Sequence, residues 1–334
     1  MKYIDDDLTD KKILITGGAG FIGSNLAFYF QNNHPCAKVT VLDIFRTEET
    51  FSNGNLKSFG HFKNLLGFSS EVRQGDINDS FMIETLKQEG YDYIFHEAAI
   101  SDTTVLDQAI MIKTNVNAFK ALLDVAQESD ASIIYASSAA TYGNAPSPQT
   151  VGKEAPENVY GFSKLMMDNI AYDYMKRYPT SRIIGLRYFN VYGAKEYFKN
   201  STASMVLQFG LQILKGNAPR LFEGSDKILR DFIYVEDVIQ ANVKAMASAE
   251  SGVYNVGTGA PRSFQNIADT LQKELGVDYG NEYIKNPHTA YQTFTQADIE
   301  STKEKLGYAP AFSLELGVAC YIDEIKRIYE SEVK

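Results

Sequence analysis

Short apolar runs alternate with longer helical patterns through the first half of the chain. "KILIT" (12–16), "KVTVLD" (38–43), "EVRQGD" (71–76), "DYIFHEAA" (92–99) and "SIIYASS" (132–138) read as strands, and "SNLAFYFQNN", soon after the first of them, reads as a helix. Strands apolar on both faces and separated by helices predict a parallel sheet covered on both sides. "RIIGLRYFNVYG" (182–193) predicts a further strand running into a loop. Beyond residue 193 the pattern loosens. A helical stretch at 202–215 is set among loops bearing Lys199, Arg220 and Arg230. "RDFIYVEDVIQANVKAMA" (230–247) then predicts a short strand and a long helix, and "GVYNVGTG" (252–259) a buried strand. No repeat, low-complexity tract or linker interrupts this order. The expected fold is therefore α/β, a doubly wound parallel sheet with a smaller, interleaved lobe. Residues 1–190 plus about 229–258 are assigned to the sheet domain, and 191–228 plus 259–334 to the lobe.

Composition narrows the function classes. With 44% apolar residues the chain can bury a large core, which sets disorder aside. A net charge of −10 argues against a broad nucleic-acid footprint and against an anionic membrane surface. Cys36 and Cys320 do not make a disulfide framework, and His34, His61, His96 and His288 show no metal-ligand spacing, so no metal is expected. The acidic "MKYIDDDLTDKK" has no apolar core and does not read as a signal peptide. No apolar run reaches the ~18 residues that span a bilayer. A cytoplasmic enzyme fits these features.

The first candidate chemistry lies in "TGGAGFIGSN" (16–25), between the first strand and the first helix. Gly18, Gly20 and Gly23 satisfy G-x-G-x-x-G, and Gly17 extends the run. Such glycines permit a tight turn, close approach to a pyrophosphate and tight helix–strand packing. Asp43 ends the second strand, where an acid bonds the adenosine ribose and favours NAD. Arg46 instead offers a partner for a 2′-phosphate, so the two point in opposite directions. Asp76 and Ile77 would flank the adenine, and "AAIS" (98–101) would supply small residues near the phosphates.

The second lies in Ser138, at the end of the fifth strand, with Tyr160 and Lys164 in "NVYGFSK". Residues four apart on a helix share a face. An unperturbed tyrosine titrates about three units above neutral pH, so using it as a base requires roughly 4 kcal/mol of preferential stabilisation of the phenolate. A nearby ammonium and a cationic nicotinamide can supply that, while the serine hydroxyl holds the substrate oxygen. Arg230, beside "LFEGS", is a candidate for gripping a diphosphate, with an ion pair to Asp226 or Asp231 as the alternative.

"TGGAGFIGSN", "YASSAATYG", "VYGFSK", "LRYFNVYG" and "RDFIYVEDV" together resemble the extended short-chain dehydrogenase/reductases over nearly the whole chain. "RYFNVYG…KNSTAS", "LFEGSDKILRDFIYVEDV" and "YQTFTQADIE" resemble the ADP-L-glycero-D-manno-heptose 6-epimerases among them. The resemblance implies a Rossmann-type fold. It implies that Phe21, Ile22, Asp43, Ile44, Glu97, Ala98, Ala99, Ile100, Ser101, Asn115 and Lys164 contact the dinucleotide. It also implies that Asn190, Val191, Ser201, Phe222, Glu223, Gly224, Ser225, Arg230 and Tyr291 line a sugar-nucleotide pocket, with Tyr160 and Lys199 as the two acid/base residues. NADP is the implied cofactor, with NAD as the alternative, a nucleotide sugar is the implied substrate, and a homo-oligomer is expected.

The chain departs from that pattern in three places. Ala194 stands where proline is common, Gln208 stands where a histidine is expected in the substrate pocket, and residues 44–70 form an over-long excursion. Ala139 and Ala140 follow Ser138, where the related 4,6-dehydratases carry an Asp–Glu pair, so elimination of water lacks its acid. A UDP-sugar 4-epimerase shares the Ser–Tyr–Lys set and is the main alternative. A regulatory protein that binds cofactor without turnover is the non-enzymatic one.

Overall fold

The computed structural model describes residues 1–286 and 293–334. Along the chain run β1 (Lys12–Thr16), α1 (Phe21–Asn33), β2 (Lys38–Asp43), β3 (Glu71–Gln74), α2 (Ser80–Glu89), β4 (Tyr93–His96), α3 (Gln108–Met111), α4 (Ala118–Ser129), β5 (Ser132–Ser138), α5 (Val159–Arg177) and β6 (Ile183–Tyr188). The second half adds β7 (Asn190–Tyr192), α6 (Met205–Leu214), β8 (Arg220–Phe222), β9 (Leu229–Arg230), β10 (Phe232–Tyr234), α7 (Val235–Ala247) and β11 (Gly252–Val256). It ends with β12 (Arg262–Ser263), α8 (Phe264–Leu275), β13 (Glu282–Ile284), α9 (Glu300–Leu306) and α10 (Leu314–Ile328).

Seven strands form one parallel sheet in the order β11-β6-β5-β4-β1-β2-β3, a Rossmann-type doubly wound arrangement. The pleat explains why these strands are apolar on both faces. Ile13 and Ile15 of β1 enter a core cluster with Leu26 and Phe30 of α1 and Val238 of α7. Leu14, between them, enters the opposite cluster with Leu86 of α2, Phe119 of α4 and Met167 of α5. Neighbouring β1 and β4 lead away to opposite sides of the sheet. The crevice at their carboxyl ends is the switch point where ligands of such sheets bind.

Two expected strands are shorter than their apolar runs. β3 stops at Gln74 and β4 at His96, and the remainder of each run, residues 75–76 and 97–99, leaves the ladder to wall that crevice. The run 182–193 also divides. β6 stays in the sheet, but after Phe189 the chain pairs as β7 with β10, outside it. Outside the sheet lie two further ribbons, β9 with β12 and β8 with β13, and α6, α8 and α10 pack against one another. Among the described residues no helix is long and apolar enough to cross a membrane. No group of three His, Cys, Asp or Glu among them could hold a metal ion.

Candidate active site

The turn between β1 and α1 depends on the absence of side chains. Gly17 has φ of +69°, and a Cβ there would stand 2.6 Å from the Ala98 amide nitrogen. Gly20 caps α1 without a side-chain hydrogen bond, and the first turn of α1 holds no acid. The positive end of that helix is therefore left for an external anion, as a dinucleotide diphosphate requires.

In front of this turn opens a cleft of about 510 Å³, within the range that holds a cofactor. Gly17, Gly20, Phe21, Ile22, Gly23, Asp43, Ile44, Asp76 and Ile77 line one half. Glu97, Ala98, Ala99, Ile100, Ser101, Ser138, Tyr160, Lys164, Val191 and Lys199 line the rest. Asp43 is 6% exposed and accepts the Ala19 and Phe45 amides at 2.9 and 2.7 Å, one on each carboxylate oxygen. Burial raises its pKa and those amide bonds pull it back. Asp76 accepts from the backbone and side chain of Asn78, both at 2.8 Å.

Glycine also brings the catalytic candidates together. Asn158 caps α5 by accepting from the Gly161 amide at 2.7 Å. A Cβ on Gly161 would lie 2.3 Å from the Ala140 carbonyl, so the first turn of α5 sits directly on the turn that follows Ser138. The Tyr160 phenol is consequently brought toward the Ser138 side chain, which favours its ionised form. Lys164, one turn on and 1% exposed, donates from Nζ to the Ala136 carbonyl at 2.7 Å. Its Nζ lies 5.9 Å from the centre of the Tyr160 ring. Burial pushes the lysine down to about 8, against the pull of Glu97 and Asp168.

Burial raises the Tyr160 pKa, and Glu97 raises it further against the pull of the Ser138 side chain. The Lys164 ammonium is bonded to the sheet backbone. Behind it, Asp168 is fully buried, accepts from Tyr135 at 2.8 Å and Ser137 at 3.0 Å, and pairs with Arg187 at 2.8 Å.

Lys199 enters the cleft from the opposite lobe, on a short helical turn, Tyr197–Thr202. Its Nζ lies 5.5 Å from the Phe21 ring centre, and burial lowers its pKa against the nearby Glu196. Glu196 is fully buried and accepts the Gly193 amide at 3.1 Å and the Ser204 amide at 2.6 Å, fixing this turn to the start of α6.

Other expected residues are placed away from the cleft walls. Asn115 is fully buried on a π-helical turn and brackets Ile100, accepting its amide at 2.8 Å and donating to its carbonyl at 3.0 Å. Its amide thus shapes the wall from behind. Gln208 donates to the Ala203 carbonyl at 2.7 Å and borders a separate shallow groove with Tyr197 and Val333. Asn190, Ser201 and Glu223 are exposed, and Gly224 turns with φ of +77°. Phe222 and Ser225 belong to the same end of the small lobe. Arg230 is 7% exposed in β9, with Nη1 3.0 Å from the Leu229 carbonyl. Asp231 accepts instead from Thr258, Gly259 and Ala297. Tyr291 and His288 lie outside the described residues.

Residues 49–60 form a strap that sequence reasoning missed as part of the site. Glu49, Phe51, Leu56, Lys57 and Gly60 line the cleft. Asn53 donates to Asp102 and Thr104 at 2.9 and 2.8 Å, and Asn55 donates to Asp102 at 2.8 Å. Ser201 of the opposite lobe donates to Asn55 at 2.9 Å. Phe51 packs with Ile100, Val105 and Met111, in the cluster that Tyr160 borders. Arg46 does not line the cleft, because its guanidinium donates to the Phe198 carbonyl, while His61 stacks on the Phe198 ring at 3.6 Å. Lys57 is the cation of the strap that does line it, paired with Glu49 at 2.9 Å. The only signal in the sequence was the excess length of this excursion.

Residues 13–257 match the NAD dependent epimerase/dehydratase family. The chain belongs to this family. Among solved structures it is similar to Helicobacter pylori ADP-L-glycero-D-manno-heptose-6-epimerase, at 51% identity over 98% of this chain and 99% of that one, with a TM-score of 0.89. It is also similar to Thermotoga maritima UDP-glucose 4-epimerase solved with UDP-glucose, at 27% identity over 95% of this chain and 99% of that one, TM-score 0.83. Bacillus cereus UDP-glucuronic acid 4-epimerase, solved with UDP-glucuronic acid and NAD, matches at 26% identity over 95% and 100%, TM-score 0.81.

The family joins epimerases and dehydratases, and the residues after Ser138 bear on the difference. Ala139 and Ala140 occupy the turn beneath Tyr160, so no carboxylate stands there to protonate a leaving hydroxyl.

Proposed function

We propose that the protein inverts C6 of ADP-D-glycero-D-manno-heptose, supplying the heptose of a lipopolysaccharide core. The observation that carries this reading is that Tyr160 and Lys199, two groups able to move protons, line one cleft from opposite lobes. An inversion needs a proton handled on each face of the reacting carbon. The 51% identity to an ADP-heptose 6-epimerase supports the sugar.

When bound, a nicotinamide dinucleotide would accept a hydride from the sugar carbon and return it. The glycine turn and the end of α1 would hold its diphosphate, and Asp43 its ribose. Tyr160 takes the proton from the substrate hydroxyl on one face, with Ser138 holding the oxygen. Lys199, whose pKa burial lowers, exchanges a proton on the other. The strap excludes water from the adenosine half. NADP is the cofactor we propose: Lys57 lines the cleft and can exchange its exposed Glu49 partner for a 2′-phosphate, whereas Arg46 does not line it.

Purified protein is incubated with ADP-D-glycero-D-manno-heptose and the two epimers are resolved chromatographically. Accumulation of the L-glycero epimer is expected. The UDP-sugar 4-epimerase reading is favoured by the shared Ser138–Tyr160–Lys164 set alone, and turnover of UDP-glucose without turnover of the ADP-heptose would replace the first reading with it.

A further inference from the structure

Glu97 follows β4 and lines the cleft beside Tyr160 and Lys164. Its Oε1 accepts the Tyr188 hydroxyl at 2.9 Å. Asn242 donates to the same hydroxyl oxygen at 2.8 Å and to the Val238 carbonyl at 2.9 Å. With the amide donor filling one side, the Tyr188 proton has two acceptors, Glu97 at 2.9 Å and the Asn242 carbonyl oxygen at 3.2 Å. The shorter bond to a charged acceptor prevails. Tyr188 is thus oriented to stabilise the carboxylate form of Glu97 from the sheet side.

His96 and Tyr135 are the last pair between β4 and β5, so Glu97 and Ala136 stand next beyond them, and the Ala136 carbonyl holds the Lys164 Nζ. Lys164 is sealed at 1% exposure, and its Nζ hydrogen-bonds the neutral carbonyl of Ala136. Two carboxylates act on it. Asp168 lies one turn further along α5 but is bound to Arg187 at 2.8 Å, so its charge is largely compensated. Glu97 is hydrogen-bonded by the neutral hydroxyl of Tyr188 instead. The adjoining His96 is buried with Nδ1 2.8 Å from the Thr16 hydroxyl, and burial pushes it down to about 3, so it carries no compensating charge.

We propose that Glu97 is a positioning residue whose carboxylate keeps Lys164 in its ammonium form and, through Lys164, governs the proton affinity of Tyr160. This rests on the reading of Tyr160 and Lys164 as the acid/base pair. Burial alone drives Lys164 toward neutrality, and a neutral amine cannot stabilise a phenolate. The same carboxylate opposes ionisation of Tyr160 directly, so the phenol loses its proton only when substrate and cofactor charges favour it. Glu97 itself is pushed up to about 7 by burial, with Tyr188 and Lys164 pulling it back, so this control operates in the neutral range.

The test follows the Lys164 Cε resonance across pH by carbon NMR in lysine-labelled full-length protein, assigned against Lys164→Met. Glu97→Gln keeps the shape and an acceptor for Tyr188 while removing the charge. The Lys164 midpoint is expected to fall by about one pH unit, and the alkaline limb of the kcat–pH profile to move the same way. Tyr188→Phe, which removes the donor to Glu97, should move the midpoint in the same direction by less, and it carries the test if the Gln variant fails to fold. A Lys164 midpoint unmoved in a folded variant overturns the proposal. A moved midpoint with an unmoved kcat–pH profile overturns its Tyr160 half. The NMR readout needs no turnover, so a wrong sugar would leave it intact.

Discussion

The cleft has a floor and a roof of unlike construction. The floor is the carboxyl edge of the sheet with α5 packed behind it, where Lys164, Asp168 and Arg187 are 1% exposed or less and each charge has a stated partner. The roof is the 49–60 strap, held by amide-to-carboxylate and hydroxyl-to-amide bonds near the solvent edge. Buried ion pairs are costly to break from one side, whereas single hydrogen bonds contribute about 0.5–3 kcal/mol, the upper part of that range where the acceptor is a carboxylate. The floor is therefore rigid where chemistry needs fixed geometry, and the roof is lightly fastened where ligands pass.

The contrast can be broken by substitution. Tyr160→Phe should lower kcat by about 10²- to 10⁴-fold, the range of a lost general base, while calorimetry finds dinucleotide affinity unchanged. Asp168→Ala leaves Arg187 buried without its main partner and should cost about 3–5 kcal/mol in denaturant unfolding. Gly17→Ala forces a Cβ into the Ala98 backbone, should cost about 1–3 kcal/mol, and should abolish dinucleotide binding before it unfolds the protein. Asn55→Ala should cost about 1–2 kcal/mol yet speed dinucleotide dissociation, measured by a fluorescence chase. If Asn55→Ala proved as destabilising as Asp168→Ala, the roof would be as rigid as the floor.

The same division decided what the sequence could reveal. Floor elements carry their instructions locally: the apolar run of β1, the glycines after it, and Tyr160 and Lys164 one turn apart. Their placement follows from chain order and sheet topology. The break between β6 and β7 was not legible, because "LRYFNVYG" carries no Gly or Pro until its end and only pairing with β10 distinguishes its two parts. Asn115 is a dinucleotide contact only by resemblance, and nothing in its local sequence shows that its amide brackets the backbone of Ile100. Arg46 stands three residues after Asp43, yet the ring of Phe198, far along the chain, determines where its guanidinium rests. The strap "TFSNGNLKSFG" has no periodicity to read. Its bonds go to Asp102, Thr104 and Ser201, partners that local sequence cannot name.

Those partners also determine what the strap is to the molecule. It contributes no strand to the central sheet, and both its ends return to the same domain beside β2. Yet Asn55 touches Asp102 on one side and Ser201 on the other. Cutting those two bonds alone would loosen one of the ties across the cleft, so nucleotide grip can be tuned without touching the sheet or the catalytic helix.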